Sequence, residues 1–202
     1  MQFSVRKTGC SPRQLWASRS MKEICLKQIF VLLLASYCHG ALADSLPLKV
    51  VGIEDGDTIV VEIKGAENRV QLSGIDAPEN TDNAKFKLDI KTTGLTAETL
   101  LAIGNAATDH LKSLLPSGAT VSIDANMDER DRYGRIPAII FNSKGLQLNE
   151  KMVEDGYASM LTRYPLDADF KTRLQHKQAQ AQKNNLGLWD RYPEISKIWF
   201  KN

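Results

Sequence analysis

The sequence predicts an α+β fold: a small β-barrel with helices packed on it. Three observations predict it. Short β-branched runs recur at close spacing between Leu46 and Ile75, the pattern of a strand meander able to close on itself. Two stretches, near 97–115 and 167–184, have helical spacing or length. No Pro/Gly/Ser-rich linker divides them, so strands and helices belong to one domain.

The first strand is read at Leu46 to Val51, interrupted by Glu54-Asp55-Gly56-Asp57, and the second at Thr58 to Ile63. Lys64 to Asn68 is a turn, and Arg69 to Ile75 a third strand. Pro78 disfavours helix at Ala77, so Asp76-Ala77-Pro78-Glu79 leaves the strand end as a loop. Asn80 to Gly94 is polar, with Lys85, Lys87 and Lys91, and reads as a mobile loop. Thr96 is positioned to cap a helix from Ala97 to Leu115, with Leu100, Leu101, Ile103, Ala107, Leu111 and Leu114 on one face, stopped by Pro116-Ser117-Gly118. Strands follow at Ala119 to Ile123 and Ile136 to Phe141, with a charged loop between them. Leu148 to Asp155 is a short helix ended by Gly156, and Asp167 to Asn184 a long polar one.

The N-terminal segment differs from the rest. Ile29 to Cys38 is an apolar run of signal-peptide length, preceded by Lys22 and Lys27 and followed by Ala41-Leu42-Ala43, an A-x-A cleavage pattern. It is short for a membrane span. The expected division is a signal peptide at 1–43, with residues 1–20 a gene-model extension if Met21 is the start, and a domain at 44–202. The expected product is exported, to a periplasm or the medium, without stable membrane association. Cys10, Cys25 and Cys38 all lie in the signal, so the remainder has no disulfide and no cysteine metal site. The whole chain is formally +2, but residues 44–202 hold 20 basic and 23 acidic residues, a net of −3. The basic balance therefore belongs to the signal, and any affinity for nucleic acid must rest on local residues.

With 43% hydrophobic and 25% charged residues, the chain is neither disordered nor fibrous. It lacks a P-loop, a Rossmann glycine pattern and a G-x-S-x-G nucleophile elbow. His110 and His176 have no second histidine at metal spacing. What remains is a set of acids and arginines at strand ends. Asp57 and Asp76 each flank a predicted strand; if the meander pairs, both carboxylates meet at one barrel mouth, and hard oxygen donors suit Ca²⁺. Asp55 adds charge beside them. Glu79 is placed to orient or deprotonate a metal-held water. In Asp131-Arg132-Tyr133-Gly134-Arg135, an arginine can grip phosphate oxygens bidentately and a tyrosine can stack on a base. Singly, each piece has a plainer reading: Asp-Gly is a common turn pair, a lone glutamate is usually solvated, and a charged hairpin loop is ordinary.

Taken in order, the pieces have a joint meaning. Val51-x-x-x-Asp55-Gly56-Asp57-Thr58, Leu72-x-Gly74-Ile75-Asp76-Ala77-Pro78-Glu79 and Asp131-Arg132-Tyr133-Gly134-Arg135 resemble the staphylococcal nuclease (thermonuclease) family. So do Leu148-Asn149-Glu150-x-x-Val153-x-x-Gly156-Tyr157-Ala158 and the closing Asn185-Leu186-Gly187-Leu188-Trp189. The resemblance implies a five-stranded OB-fold barrel with about three helices, and Ca²⁺-dependent hydrolysis of DNA and/or RNA by a monomer. By matching position it implies Asp57 and Asp76 as metal ligands with the carbonyl of Ala77, Glu79 as general base, and Arg135 as a phosphate clamp. It places Arg132, Tyr133 and Tyr164 at the nucleotide.

The chain departs from that pattern where the second clamping arginine belongs: Gln71 stands there, five residues before Asp76. Thr162 replaces a further pocket tyrosine. Arg69 lies two residues before Gln71, on the same strand face. It is either a partial substitute for the missing cation or a solvated residue at the turn. Two functions follow: a nuclease, and a module that keeps the barrel and binds nucleic acid or another anionic polymer without cutting it.

Overall fold

The computed structural model describes residues 47–161 and 166–201. The chain divides into Met1–Asp44 and Ser45–Asn202, and every described residue belongs to the second unit. The signal-peptide reading, the three cysteines, Thr162 and Tyr164 lie outside the described residues. Among those described, no helix is long and apolar enough to cross a membrane.

Five strands close a barrel: β1 (Leu48–Ile53), β2 (Thr58–Ile63), β3 (Ala66–Leu72), β5 (Thr120–Asp124) and β6 (Ile136–Asn142), in the order β1-β2-β3-β6-β5. All neighbours are antiparallel except β3 and β6, which run parallel with Val70 opposite Ile136. Parallel neighbours need a long crossover, and the segment between β3 and β6 supplies it. That segment holds β4 (Ile75–Asp76), α1 (Ala84–Thr93) and α2 (Ala97–Leu114), followed by β5. After β6 come α3 (Leu148–Glu154), β7 (Ser159–Met160), α4 (Ala168–Lys183), α5 (Leu188–Arg191) and α6 (Pro193–Trp199). The α+β five-stranded barrel is as predicted, and the three expected helices are α2, α3 and α4.

Side-chain alternation builds the core. On β6, Ile136, Ala138 and Ile140 are buried while Pro137 and Ile139 face outward. On β3, Val70 and Leu72 point inward, and Arg69 and Gln71 outward. The β2–β3 hairpin turns through Lys64 and Gly65, both at positive φ. That is the twist a two-residue hairpin loop needs, so the strand resumes at Ala66, earlier than predicted.

Two sequence expectations need correction. The predicted third strand, Arg69 to Ile75, breaks at Ser73-Gly74, where Gly74 has φ 80°. β4 beyond the break leaves the barrel and pairs with β7. The segment read as a mobile loop forms α1: Asn83 caps it by accepting from the Phe86 amide, and Gly94 ends it in the left-handed region. The pattern was faint because Phe86 is its one buried residue. Phe86 packs in a second cluster with Leu100, Ile103, Leu188 and Trp199, so α1 is held by α2 and the C-terminal helices.

A buried amide ties α3 to the barrel. Asn149, fully buried, accepts from the Ile140 amide at 2.9 Å and donates to the Ser73 and Ala138 carbonyls at 2.9 and 3.0 Å. It thereby joins the end of β3, where the chain turns toward β4, to β6 and α3. Replacing it with leucine would remove the side-chain partner of the Ile140 amide and the Ser73 carbonyl in a dry interior, while the Ala138 carbonyl keeps the Ser73 amide. Asn149→Leu is therefore expected to cost about 2–4 kcal/mol of unfolding free energy, read by urea titration against wild type.

Candidate active site

One mouth of the barrel gathers acids and cations from four separate segments besides β3, which contributes Arg69. The β1–β2 loop brings Asp55 and Asp57, β4 and its exit bring Asp76, Ala77 and Glu79, α1 brings Asn83 and Lys85, and the β5–β6 loop brings Tyr133 and Arg135. Asp55, Arg69, Glu79, Asn83, Ala84, Lys85, Tyr133 and Arg135 line a cleft of about 260 Å³.

Two glycines allow the segments to approach. A Cβ on Gly56 would lie 2.7 Å from the Ala77 Cβ and 2.8 Å from the Ala107 Cβ. One on Gly104 would lie 2.1 Å from the Glu79 carbonyl oxygen. Helix α2 therefore backs directly onto the Glu79 main chain. Asn80 adds to that seam, donating to the Glu54 carbonyl at 2.8 Å and to Thr108 Oγ1 at 3.0 Å.

Asp57 is almost wholly buried, at 3% exposure. Its Oδ2 accepts from the Ala77 amide at 3.1 Å and its Oδ1 from Thr58 Oγ1 at 2.9 Å. Arg135 Nη1 lies 3.4 Å from Asp57 Oδ1 and donates to Thr58 Oγ1 at 2.9 Å. Asp131 steadies that guanidinium: its Oδ2 accepts from Arg135 Nε at 2.8 Å, while its Oδ1 accepts the Tyr133 and Arg135 amides. Burial works against the Asp131 carboxylate, but these hydrogen bonds outweigh it and hold its pKa below the usual range.

The remaining acids are crowded. Burial, then the neighbouring charges of Asp57 and Glu79, push Asp55 up to about 8. Burial raises Asp76 to about 6, with the Lys85 ammonium opposing and Asp57 reinforcing the shift. Glu79 is 7% exposed, and each of its oxygens has a partner. Oε2 accepts from Asn83 Nδ2, and Oε1 lies 3.3 Å from Lys85 Nζ. Asn83 thus caps α1 and orients Glu79 with one side chain.

The structure brings Asp57, Asp76, Glu79 and Arg135 to one barrel mouth, with Tyr133 at the rim and Arg132 stacked on it, its guanidinium carbon 4.7 Å from the ring centroid. Arg69 is not at the hairpin turn. It lies within β3, held bidentately by Glu54, and donates to the Tyr133 carbonyl at 3.2 Å. Gln71 shares its strand face but does not line the cleft. Sequence reasoning missed the roles of Asn83 and Lys85, whose placement follows from α1. An Asn-x-x-Phe cap signature was the available cue.

The donors suit a hard cation: the Asp57 and Asp76 carboxylates, the Ala77 carbonyl, and a local surplus of acids whose ionisation burial opposes. Among the described residues no three acidic or histidine side chains close on one point. In this structure the Asp57 oxygens are engaged by Thr58, Arg135 and the Ala77 amide, and Lys85 Nζ lies on Asp76 Oδ1 and the Ala77 carbonyl.

Known proteins share this arrangement of sequence. A family model described as "Staphylococcal nuclease homologue" matches residues 69–191. The chain is 29% identical over 147 residues to the thermonuclease of Staphylococcus hyicus, covering 73% of this chain and 78% of that one. It is 30% identical over 175 residues to a protein of Escherichia coli named "Uncharacterized endonuclease", covering 86% of this chain and 97% of the other. It is 27% identical over 153 residues to endonuclease YhcR of Bacillus subtilis, spanning 74% of this chain but only 12% of that much longer protein.

The raised Asp55 has a measurable consequence. A carboxyl whose pKa is higher folded than unfolded stabilises the fold at low pH and loses that contribution as pH rises through the folded value. Without divalent cations, Asp55→Asn is expected to match wild type near pH 3.5. It should become progressively more stable than wild type up to about pH 8 and hold a constant margin above, as read by thermal melts across pH.

Proposed function

We propose, from the premise that this chain belongs to the staphylococcal nuclease homologue family, that it is a Ca²⁺-dependent phosphodiesterase that hydrolyses DNA and/or RNA. The observation that carries this reading is the meeting of Asp57, Asp76, Glu79 and Arg135 at one barrel mouth: Glu79 and Arg135 line its cleft, Arg135 reaches Asp57 from 78 residues away, and Lys85 bridges Asp76 and Glu79.

Asp57, Asp76 and the Ala77 carbonyl would hold the ion, which when bound supplies charge neutralisation at phosphate and a water of lowered pKa. The protein groups do the rest. Glu79, held on both oxygens, is placed to take the proton of the attacking water. Its burial and fixed orientation keep it aimed into the cleft rather than solvated. As the water oxygen bonds to phosphorus, the P–O bond to the departing oxygen breaks and negative charge builds on the phosphoryl oxygens. Arg135 faces that charge, pre-oriented by Asp131, so the guanidinium need not reorganise as the charge develops. Tyr133, 43% exposed, offers a ring face to a base or sugar.

Gln71 bears on rate. It can donate a hydrogen bond but carries no charge, so transition-state stabilisation on that side is weaker. Arg69 is the nearest replacement on the same strand face, though it must share its guanidinium with Glu54. A second reading rests on the same residue: with Gln71 and a net −3 outside the signal segment, the domain would bind an anionic polymer without cutting it. The metal-side glutamate, held on both oxygens, favours the nuclease. Export by the segment 1–43 is part of the proposal, because such compartments supply free Ca²⁺ and separate a nuclease from the chromosome.

The test is product release from single-stranded DNA and from RNA by protein starting at Asp44. Turnover should vanish with chelator and fall about 10²–10⁴-fold in Glu79→Gln. It should fall about 10²–10³-fold in Arg135→Ala, fall in Arg69→Ala, and rise in Gln71→Arg. Binding without products in every variant would establish the non-cutting module instead.

A further inference from the structure

The cation nearest the proposed ion ligands is part of the chain itself. Lys85 Nζ lies 3.2 Å from Asp76 Oδ1, 3.2 Å from the Ala77 carbonyl oxygen and 3.3 Å from Glu79 Oε1. The first two atoms are donors assigned above to the ion, and the third belongs to the proposed base. A fourth oxygen, Asp89 Oδ2, one helical turn along α1, holds the ammonium at 3.2 Å from the other side. Lys85 is not a surface lysine that happens to lean inward. Its side chain is 23% exposed. Its helix is fastened by the Asn83 cap and by Phe86 packed against Leu100, Ile103 and Trp199. The Trp199 ring centroid is 5.8 Å from the ammonium.

The geometry points to Lys85 as a tethered counter-cation that competes with the divalent ion for Asp76 and Ala77. A Ca²⁺ ion at ordinary bonding distance from Asp76 Oδ1 would stand no more than about 6 Å from an ammonium still in contact with that oxygen. Two like charges of total +3 at that separation in a half-buried cleft repel strongly. The ammonium also uses lone pairs that the ion needs. Ion binding therefore requires Lys85 to withdraw, by rotation of its four-carbon stem into the adjoining cleft, which it already lines with Arg69 and Arg135. Without the ion, Lys85 keeps the acids neutralised and the loop after β4 in place. The consequence is weak affinity for the free ion in a protein that stays folded without it. This inference rests on the metal-dependent reading of the site and adds to it the group that sets the ion's affinity.

The experiment is Ca²⁺ titration by calorimetry, paired with thermal melts with and without Ca²⁺, on wild type, Lys85→Met, Lys85→Gln and Lys85→Arg, all without nucleic acid. Lys85→Met is expected to bind Ca²⁺ at least tenfold more tightly than wild type. Its melting temperature should be lower than wild type without Ca²⁺ and rise further when the ion is added. Lys85→Gln should follow it, and serves in its place if the methionine variant does not fold. Lys85→Arg, which keeps the charge, should stay weak. Equal or weaker Ca²⁺ affinity in both uncharged variants, with wild type binding normally, would overturn the role of Lys85 and leave the metal site standing. Absence of Ca²⁺ binding in all four proteins would overturn the metal reading and this inference together. Binding in the uncharged variants alone would support both.

Discussion

Everything at the mouth of this barrel is arranged around one electrostatic constraint: four carboxylates, Asp55, Asp57, Asp76 and Glu79, are brought together where water is scarce. Each would be better solvated apart. They stay together because each is answered. Backbone amides and Thr58 answer Asp55 and Asp57, Arg135 closes on Asp57 and Thr58, and Lys85 spans Asp76 and Glu79. The compensation is incomplete, which is why burial still lifts Asp55 and Asp76 well above ordinary carboxylates. This surplus of acid is what the proposed divalent ion would answer.

The scaffold tolerates this because the strain is local and the supports are not. The barrel beneath is filled by fully buried aliphatic side chains from β2, β3 and β6. The Asn149 amide joins β6 to the end of β3, from which β4 departs. Helix α2 presses on the other side, with Gly104 admitting the Glu79 backbone at a distance no side chain would permit. Glu79 is therefore positioned by backbone contacts behind it and by Asn83 and Lys85 in front. Precision at the reacting groups comes from rigid elements meeting there, although Asp57, Asp76, Glu79 and Arg135 each sit in a loop or at an element's end.

Helix α1 is where sequence and structure part most clearly. Composition marks 80–94 as polar and lysine-rich, and a single buried phenylalanine does not produce a recognisable apolar face. The helix exists because Phe86 finds a hydrophobic partner more than a hundred residues away, in Trp199 of α6. That long-range contact turns an unremarkable Lys85 into the principal cation of the acidic cluster. The same reasoning applies to Arg69: its strand face was legible from a period of two, but its pairing with Glu54 depends on how β1 and β3 are joined through β2.

By itself the sequence determined the alternating strands and the three main helices, because periodicity and turn chemistry are local, and its ordered motifs singled out Asp57, Asp76, Glu79 and Arg135 as candidates without coordinates. It also determined the absence of a charged group at residue 71. Only the tertiary structure decided which groups face one another across the cleft: Asn83 on Glu79, Lys85 on Asp76 and Ala77, Asp131 behind Arg135, and Gly104 beneath the Glu79 main chain. Those pairings depend on barrel closure and on helices docking from distant parts of the chain. Distance in space between such segments is set by packing, which no local pattern of residues encodes.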